Sequence, residues 1–154
     1  MEQKYIKVVE QKYIKVVEQK YYFSKCIYMK EIIKFIIVYI LLIIFDAIYF
    51  MFVKNLFDIQ IRSVQGSSIK LDILAFVLCY IFIAFALYYF VIKEKKNALY
   101  AFLLGISIYA IYELTNKAIL NNWKWTTVLM DTVWGGILFA IVTKIYLLFM
   151  INNI

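Results

Sequence analysis

The sequence of 154 residues contains no histidine, no proline and only two cysteines, and each scarcity excludes something. Without histidine or a cysteine cluster, the chain lacks the material for a zinc site or for a Ser-His or Cys-His catalytic pair. Without proline, no helix has to be kinked on that account. Cys79 lies in an apolar run and Cys26 outside one, so no disulfide is expected. No cofactor is expected either.

Charged residues are also scarce, at 18%, whereas 66% of the chain is hydrophobic. The mean hydropathy is +0.82. A soluble domain is typically about half apolar, because its surface must be polar. This excess therefore indicates that much of the surface faces lipid. The net charge of +7 is best explained by lysines beside apolar spans, which set topology and meet anionic headgroups. Nucleic acid is not an expected partner.

Four apolar spans are recognisable, at about residues 32–53, 71–92, 97–117 and 127–151. Each is close to the ~20 residues that cross a ~30 Å hydrocarbon core as a helix. We therefore predict an all-α integral membrane bundle of four transmembrane helices, occupying residues 29–154. The longest connection is predicted at residues 54–70. Residues 57–62 in it alternate like a strand, but Phe57, Ile61 and Val64 also fit one face of a helix, so a short interfacial helix is an equal alternative.

The first 28 residues form a basic, repetitive extension. The octapeptide EQKYIKVV occupies residues 2–9, recurs at 10–17 and begins again at 18. A period of eight moves an apolar stripe by roughly 80° around a helix at each repeat, so no steady face results. We predict that residues 1–28 are disordered or not native: either Met29 is the true initiator or these residues are a dispensable extension. The alternative is a basic arm on the membrane surface.

An even number of spans places both termini on one side, together with the basic turn at residues 93–96. Lysine and arginine are balanced between the two sides unless the extension is counted, which adds six lysines to the terminal side. The positive-inside rule then predicts that both termini are cytoplasmic.

Three carboxylates lie within the spans or at their edges: Asp46, Glu113 and Asp131. A charge at mid-membrane costs about 2.5–3.5 kcal/mol on insertion scales, so such a group usually faces protein or water and has a function. Asp46 is late in the first span, Glu113 late in the third and Asp131 early in the fourth. All three are therefore predicted near the membrane face opposite the termini.

Polar and aromatic side chains share the helical faces of these carboxylates and complete a candidate binding pocket. We expect this pocket to be lined by Asp46, Tyr49, Tyr109, Tyr112, Glu113, Thr115, Asn116, Asp131 and Trp134.

Small residues favour a close approach of the third and fourth spans. Gly105 and Gly136 each lie four residues from an alanine, which is a spacing typical of packed membrane helices. Such packing would bring Glu113 and Asp131 together, so that the pair could share a proton or bind a cation.

Each carboxylate also has a purely structural explanation. Glu113 could pair with Lys117 four residues later. Asp131 could cap the fourth span or bond an indole or hydroxyl group, and Asp46 could bond a tyrosine of a neighbouring helix.

The chain resembles a family of small predicted membrane proteins of unknown function from bacteria and large DNA viruses. The resemblance covers about residues 30–150 and implies four membrane helices and no established activity. That family typically has Asp-x-x-Trp in the first span and Asp-Leu-Thr-Asn in the third, where this chain has tyrosine and glutamate. The matching pieces are Asp46-x-x-Tyr49, Tyr109-x-x-Tyr112-Glu113-Leu114-Thr115-Asn116, and Asp131-x-x-Trp134-Gly135.

Three functional hypotheses follow. The first is binding or transport of a cation, a proton or a lipid headgroup at the carboxylates. The second is a structural or interaction protein whose polar residues only fix helix packing. The third, a small lipid-modifying enzyme, has least support, because no nucleophile-base pair or metal cluster is visible. The expected partners are the bilayer and the ligand, and self-association into a homo-oligomer is left open.

Overall fold

A computed structural model describes the backbone of residues 2–151, which is helical apart from short connections and, in that range, contains no strand. The helices are α1 (Glu2–Gln65), α2 (Ile73–Leu87), α3 (Ala98–Ile119) and α4 (Trp125–Ile151). A single π-helical turn, Tyr88–Ile92, prolongs α2.

Four stretches of this described chain are long and apolar enough to cross a membrane: Val17–Gln65, Ile73–Ile92, Ala98–Ile119 and Trp125–Phe149. The predicted all-α membrane fold is thereby confirmed. The last three spans differ from their predicted limits by only a few residues. Their side chains face outward to an extent that a water-soluble bundle would not tolerate, and Phe82 and Leu148 are among the exposed ones.

The prediction of a loop at residues 54–70 is wrong over most of its length, because α1 continues to Gln65. No proline or glycine interrupts the chain there, and Arg62 pairs with Asp58 one turn earlier at 2.8 Å. Phe57 and Ile61 are helical, as the alternative of a short interfacial helix required, but they belong to the continuous helix α1 and not to a separate short helix. The helix ends where Gly66 adopts a left-handed φ of 72°, a common helix terminator.

The chain divides into two compact units, Met1–Ile36 and Ile37–Ile154. In the first unit, Lys34 pairs with Glu31 at 2.7 Å. Residues 2–28, predicted to be disordered or not native, are helical in the structure. Lysine, glutamate and glutamine are good helix formers, and the repeats contain neither glycine nor proline. Whether this extension belongs to the native protein stays a prediction.

In the second unit, α3 and α4 pack more closely than any other two helices. A side chain on Gly105 would collide with the backbone carbonyl of Gly135, and one on Gly136 would collide with the side chains of Ile106 and Phe102. The predicted close approach of these spans through small residues is thus confirmed. Around it lies a core of fully buried side chains: Leu42, Leu87, Ala101, Leu138, Phe139 and Val142.

We expect Gly105→Ala to lower the free energy of unfolding by about 1–3 kcal/mol, the usual cost of overpacking. The added methyl group meets backbone rather than a movable side chain, so the two helices must separate to admit it. Denaturant titration in mixed micelles measures the change. Ser107→Ala on the exposed side of α3 is the control and should shift stability by no more than about 0.5 kcal/mol. Equal stability of the two variants would contradict the contact.

Candidate functional site

Asp46 joins three helices through its two carboxylate oxygens. Oδ1 accepts a hydrogen bond of 2.6 Å from the indole Nε1 of Trp134 in α4. Oδ2 accepts one from the hydroxyl group of Tyr80 in α2. This contact agrees with the sequence-based expectation that Asp46 bonds a tyrosine of a neighbouring helix. Since both oxygens have donors, the Asp46 charge is stabilised by neutral groups that it also holds in place.

Tyr49 adds an aromatic contact to the same junction. It follows Asp46 by one turn of α1, so both side chains point to the same side of the helix. Its ring stacks on that of Trp134 with centroids 4.2 Å apart and planes inclined by 9°. Because of the Asp-x-x-Tyr spacing, α1 makes two contacts with the Trp134 indole. Asp46 accepts a hydrogen bond at the edge of the ring, and Tyr49 stacks on its face.

Glu113 is fully buried and accepts a hydrogen bond from an indole outside the helices. Its Oε2 lies 2.7 Å from Nε1 of Trp123, a residue of the α3–α4 loop that is itself only 3% exposed. The alternative of a Glu113–Lys117 ion pair is not realised. Lys117 instead donates to the backbone carbonyl of Trp123 at 2.6 Å, because that carbonyl has no helical partner.

The carboxyl groups of Glu113 and Asp131 lie close enough together to affect each other electrostatically. A hydrogen bond between them would require one of them to carry a proton, because two ionised carboxylates have no hydrogen to share. No described residue donates to Glu113 Oε1, which is buried. None of the ion pairs among the described residues involves either carboxyl group. Asp131 lies six residues inside α4, so it does not cap that helix.

A second polar junction lies at the α3–α4 loop and was not predicted. Gln60 of α1 is 1% exposed. Its amide donates to the backbone carbonyl of Asn122 at 2.9 Å, and its oxygen accepts from the backbone amide of Lys124 and the hydroxyl group of Thr127. These bonds fix the loop that carries Trp123. One feature of the sequence could have indicated that Gln60 is buried: it lies on the helical face that also carries Asp46 and the buried Val53.

Tyr80 was also missed, although it is the only residue of α2 with a hydroxyl group. In an otherwise apolar membrane helix that group needs a partner. The sequence could have suggested Tyr80 as a candidate, but it could not have shown that Asp46 is the acceptor.

The structure divides the predicted pocket residues into four sets. Asp46, Tyr49 and Trp134 form one cluster, and Glu113 with Asp131 forms the carboxyl pair. Tyr109 packs against Gly135 and lies edge-on to Phe139, with centroids 6.4 Å apart. The remaining three lie toward the outside of α3. Tyr112 and Thr115 are exposed there, whereas Asn116 is half-buried.

The three carboxylates have different hydrogen-bond partners. Asp46 accepts from Tyr80 and Trp134, and it lies close enough to Asp131 to act on it electrostatically. Among the described residues there is no group of three or more histidine, cysteine, aspartate or glutamate side chains that could hold a metal ion.

Comparison with known proteins adds one match. Residues 31–148 match the sequence profile of a family described as "Predicted membrane protein (DUF2177)". Neither a curated protein nor a solved structure matches the chain significantly.

A double-mutant cycle with Asp46→Asn and Trp134→Phe tests the junction between α1 and α4. We expect a coupling free energy of about 0.6 kcal/mol, and no more than about 1.7, as found for hydrogen bonds between membrane helices. The measurement is denaturant titration of the four proteins in mixed micelles.

The control cycle pairs Asp46→Asn with Trp123→Phe, because Trp123 donates to Glu113 instead. Its two effects should add to within about 0.5 kcal/mol. Equal coupling in both cycles would mean that no specific Asp46–Trp134 bond exists.

Proposed function

We propose that this chain, which belongs to the DUF2177 family of predicted membrane proteins, binds and exchanges a proton at the Glu113–Asp131 carboxyl pair within the membrane. The family description gives a membrane location and the structure gives four apolar helices long enough to cross a membrane, but neither supplies an activity. The observation that carries the proposal is the proximity of two carboxyl groups that form no ion pair with any of the described residues.

The surroundings of the pair favour a mobile proton over a permanently ionised site. A charge in a low-dielectric interior needs donors or a counter-ion. Glu113 receives one donor, the Trp123 indole, and its second oxygen receives none from the described residues. A single proton between Glu113 and Asp131 would remove one of the two charges and supply the missing hydrogen bond.

The same geometry gives less support to the other ligands considered from the sequence. Calcium and magnesium take six or more oxygen ligands, and no group of three acidic or metal-binding side chains occurs in the described part of the chain. A lipid phosphate would be repelled by two carboxyl groups that share at most one proton. A proton needs only two oxygens, one from the Glu113 carboxyl group and one from the Asp131 carboxyl group.

Proton exchange has a short route to one membrane face. Glu113 lies six residues before the end of α3, and Asp131 lies six residues after the start of α4. Six residues of helix measure about 9 Å, so only the α3–α4 loop separates the pair from that end of the bundle. Trp123 is the loop residue in contact with Glu113, and we assign to it the role of covering the pair.

Structural stabilisation, the second hypothesis, is favoured for Asp46 specifically. Both of its oxygens accept hydrogen bonds, and the donors come from two other helices. A carboxylate satisfied in this way holds helices together and has little remaining capacity for a ligand. We therefore assign the proton to Glu113 and Asp131 and the fixing of α1 to Asp46.

Infrared spectroscopy of the protein in lipid tests the pair, because a protonated carboxyl group has a carbonyl stretching band that a carboxylate lacks. We expect this band already at pH 7, where exposed carboxyl groups are ionised, and expect it to shift when H₂O is replaced by D₂O. Glu113→Gln and Asp131→Asn should each abolish it. In either variant the amide can donate to the remaining carboxylate, which then no longer needs a proton.

The matched controls make the same chemical changes at exposed positions. Glu94→Gln in the α2–α3 turn and Asp72→Asn at the start of α2 should both retain the band, and circular dichroism checks that every variant is folded. A band that persists in folded Glu113→Gln and Asp131→Asn would overturn the proposal. So would a folded wild-type protein that shows no such band at pH 7.

A further inference from the structure

The turn between α2 and α3 concentrates positive charge at the opposite end of these helices from the carboxyl pair. Lys93, Lys95 and Lys96 fall within four residues and are all exposed. The turn is tight, since Lys95 adopts a left-handed φ of 53° and the backbone amide of Lys96 bonds to the carbonyl of Val91 at 2.9 Å. Three ammonium groups are therefore held near one another by a defined backbone.

Two of these ammonium groups lie over aromatic rings. Lys93 Nζ is 5.0 Å from the centre of the Tyr89 ring, and Lys96 Nζ is 5.6 Å from that of Tyr100. Cation–π contacts of this kind limit how far a flexible lysine can extend. Both rings are themselves about half exposed, so the ammonium groups stay beside the outer surface of the helices.

A fourth lysine, Lys144, is brought to the same level by the packing of α3 and α4. These helices run in opposite directions, and Gly105 lies against Gly136. Eight residues before Gly105 is Asn97, next to the basic turn, and eight residues after Gly136 is Lys144. Because the rise per residue is equal in both helices, Lys144 and the turn lie at similar depth. Its side chain is exposed.

Little negative charge opposes this group of lysines. The turn contains one carboxylate, Glu94, which is exposed. No ion pair among the described residues involves Glu94 or any of the four lysines. Apolar side chains flank the turn, where Phe90 is 51% and Leu99 is 63% exposed. The surface thus combines unpaired ammonium groups with an adjacent apolar, lipid-facing wall.

We propose that Lys93, Lys95, Lys96 and Lys144 form a binding site for the headgroup of an anionic phospholipid. The ammonium groups would contact the phosphate, and the acyl chains would lie along Phe90 and Leu99. Charge complementarity selects this ligand over a zwitterionic lipid, because each lysine near an anionic membrane surface contributes about fivefold to affinity. The site is separate from the proposed proton site, and neither depends on the other.

The test compares binding of phosphatidylglycerol and phosphatidylcholine to the full-length protein in detergent, measured by native mass spectrometry. We expect wild-type protein to prefer phosphatidylglycerol. Lys93→Gln, Lys95→Gln and Lys96→Gln combined should weaken phosphatidylglycerol binding by on the order of a hundredfold. Glu94→Gln removes the only opposing charge in the turn and should strengthen it.

The matched control removes three charges elsewhere on the surface, through Lys15→Gln, Lys20→Gln and Lys25→Gln in the N-terminal extension. This variant has the same net charge as the turn variant and should keep phosphatidylglycerol binding within a few-fold of wild type. Circular dichroism and thermal unfolding establish that both triple variants are folded.

Two results would overturn the inference. One is an equal loss of binding in the two folded triple variants, which would mean that net charge alone attracts the lipid. The other is displacement of the lipid by soluble glycerophosphoglycerol or inorganic phosphate at equal concentration, which would identify a site for free anions. Lysine-dependent binding that these soluble anions fail to displace would support a phospholipid site.

Discussion

The hydrocarbon interior of a membrane offers no hydrogen-bond partner, so each polar group carried into it must be satisfied by the protein. In this chain two carboxylates meet that requirement with tryptophan. Asp46 accepts from Trp134 and Glu113 accepts from Trp123, at 2.6 and 2.7 Å respectively. An indole is well suited to this role, because it donates one hydrogen bond and presents an otherwise apolar surface to its neighbours.

This requirement leads to two different kinds of helix contact. Helices α3 and α4 approach closely at Gly105, Gly135 and Gly136, where backbone meets backbone. Helix α1 makes few such close backbone approaches. It is joined to the others through the longer side chains of Asp46 and Gln60, both of which reach polar partners. Packing therefore holds one pair of helices, whereas hydrogen bonds and one aromatic stack attach α1.

The three buried or half-buried carboxylates are not equivalent, and their different surroundings lead us to assign different roles. Asp46 has a donor for each oxygen, so both oxygens take part in hydrogen bonds that link helices. Glu113 and Asp131 lie close together, and among the described residues Glu113 receives one indole donor and none at its second oxygen. In the proposals made above, a proton would occupy this pair at one end of α3. Lysines at the other end would contact anionic lipid.

Composition and the lengths of the apolar spans were sufficient to predict the class of fold. Four runs of about 20 apolar residues must be helices in lipid, whatever their sequence in detail. The extent of α1 was harder to predict, because polar residues such as Asp58 and Gln60 are compatible with either a loop or a helix. The structure resolves this through the Asp58–Arg62 pair and the left-handed Gly66 that ends the helix.

The candidate site was only partly predictable from the residues. The cost of burying charge pointed to Asp46, Glu113 and Asp131, and glycine spacing indicated that α3 and α4 would pack closely. The pairing of donors and acceptors depends on how helices distant in sequence are rotated toward each other. Tyr80 therefore became the partner of Asp46, and Trp123 took the place of Lys117 beside Glu113. Sequence by itself determined which groups are costly to bury, because that cost belongs to the residue type. Only tertiary structure decided which groups offset it, because hydrogen bonds require atoms within about 3 Å.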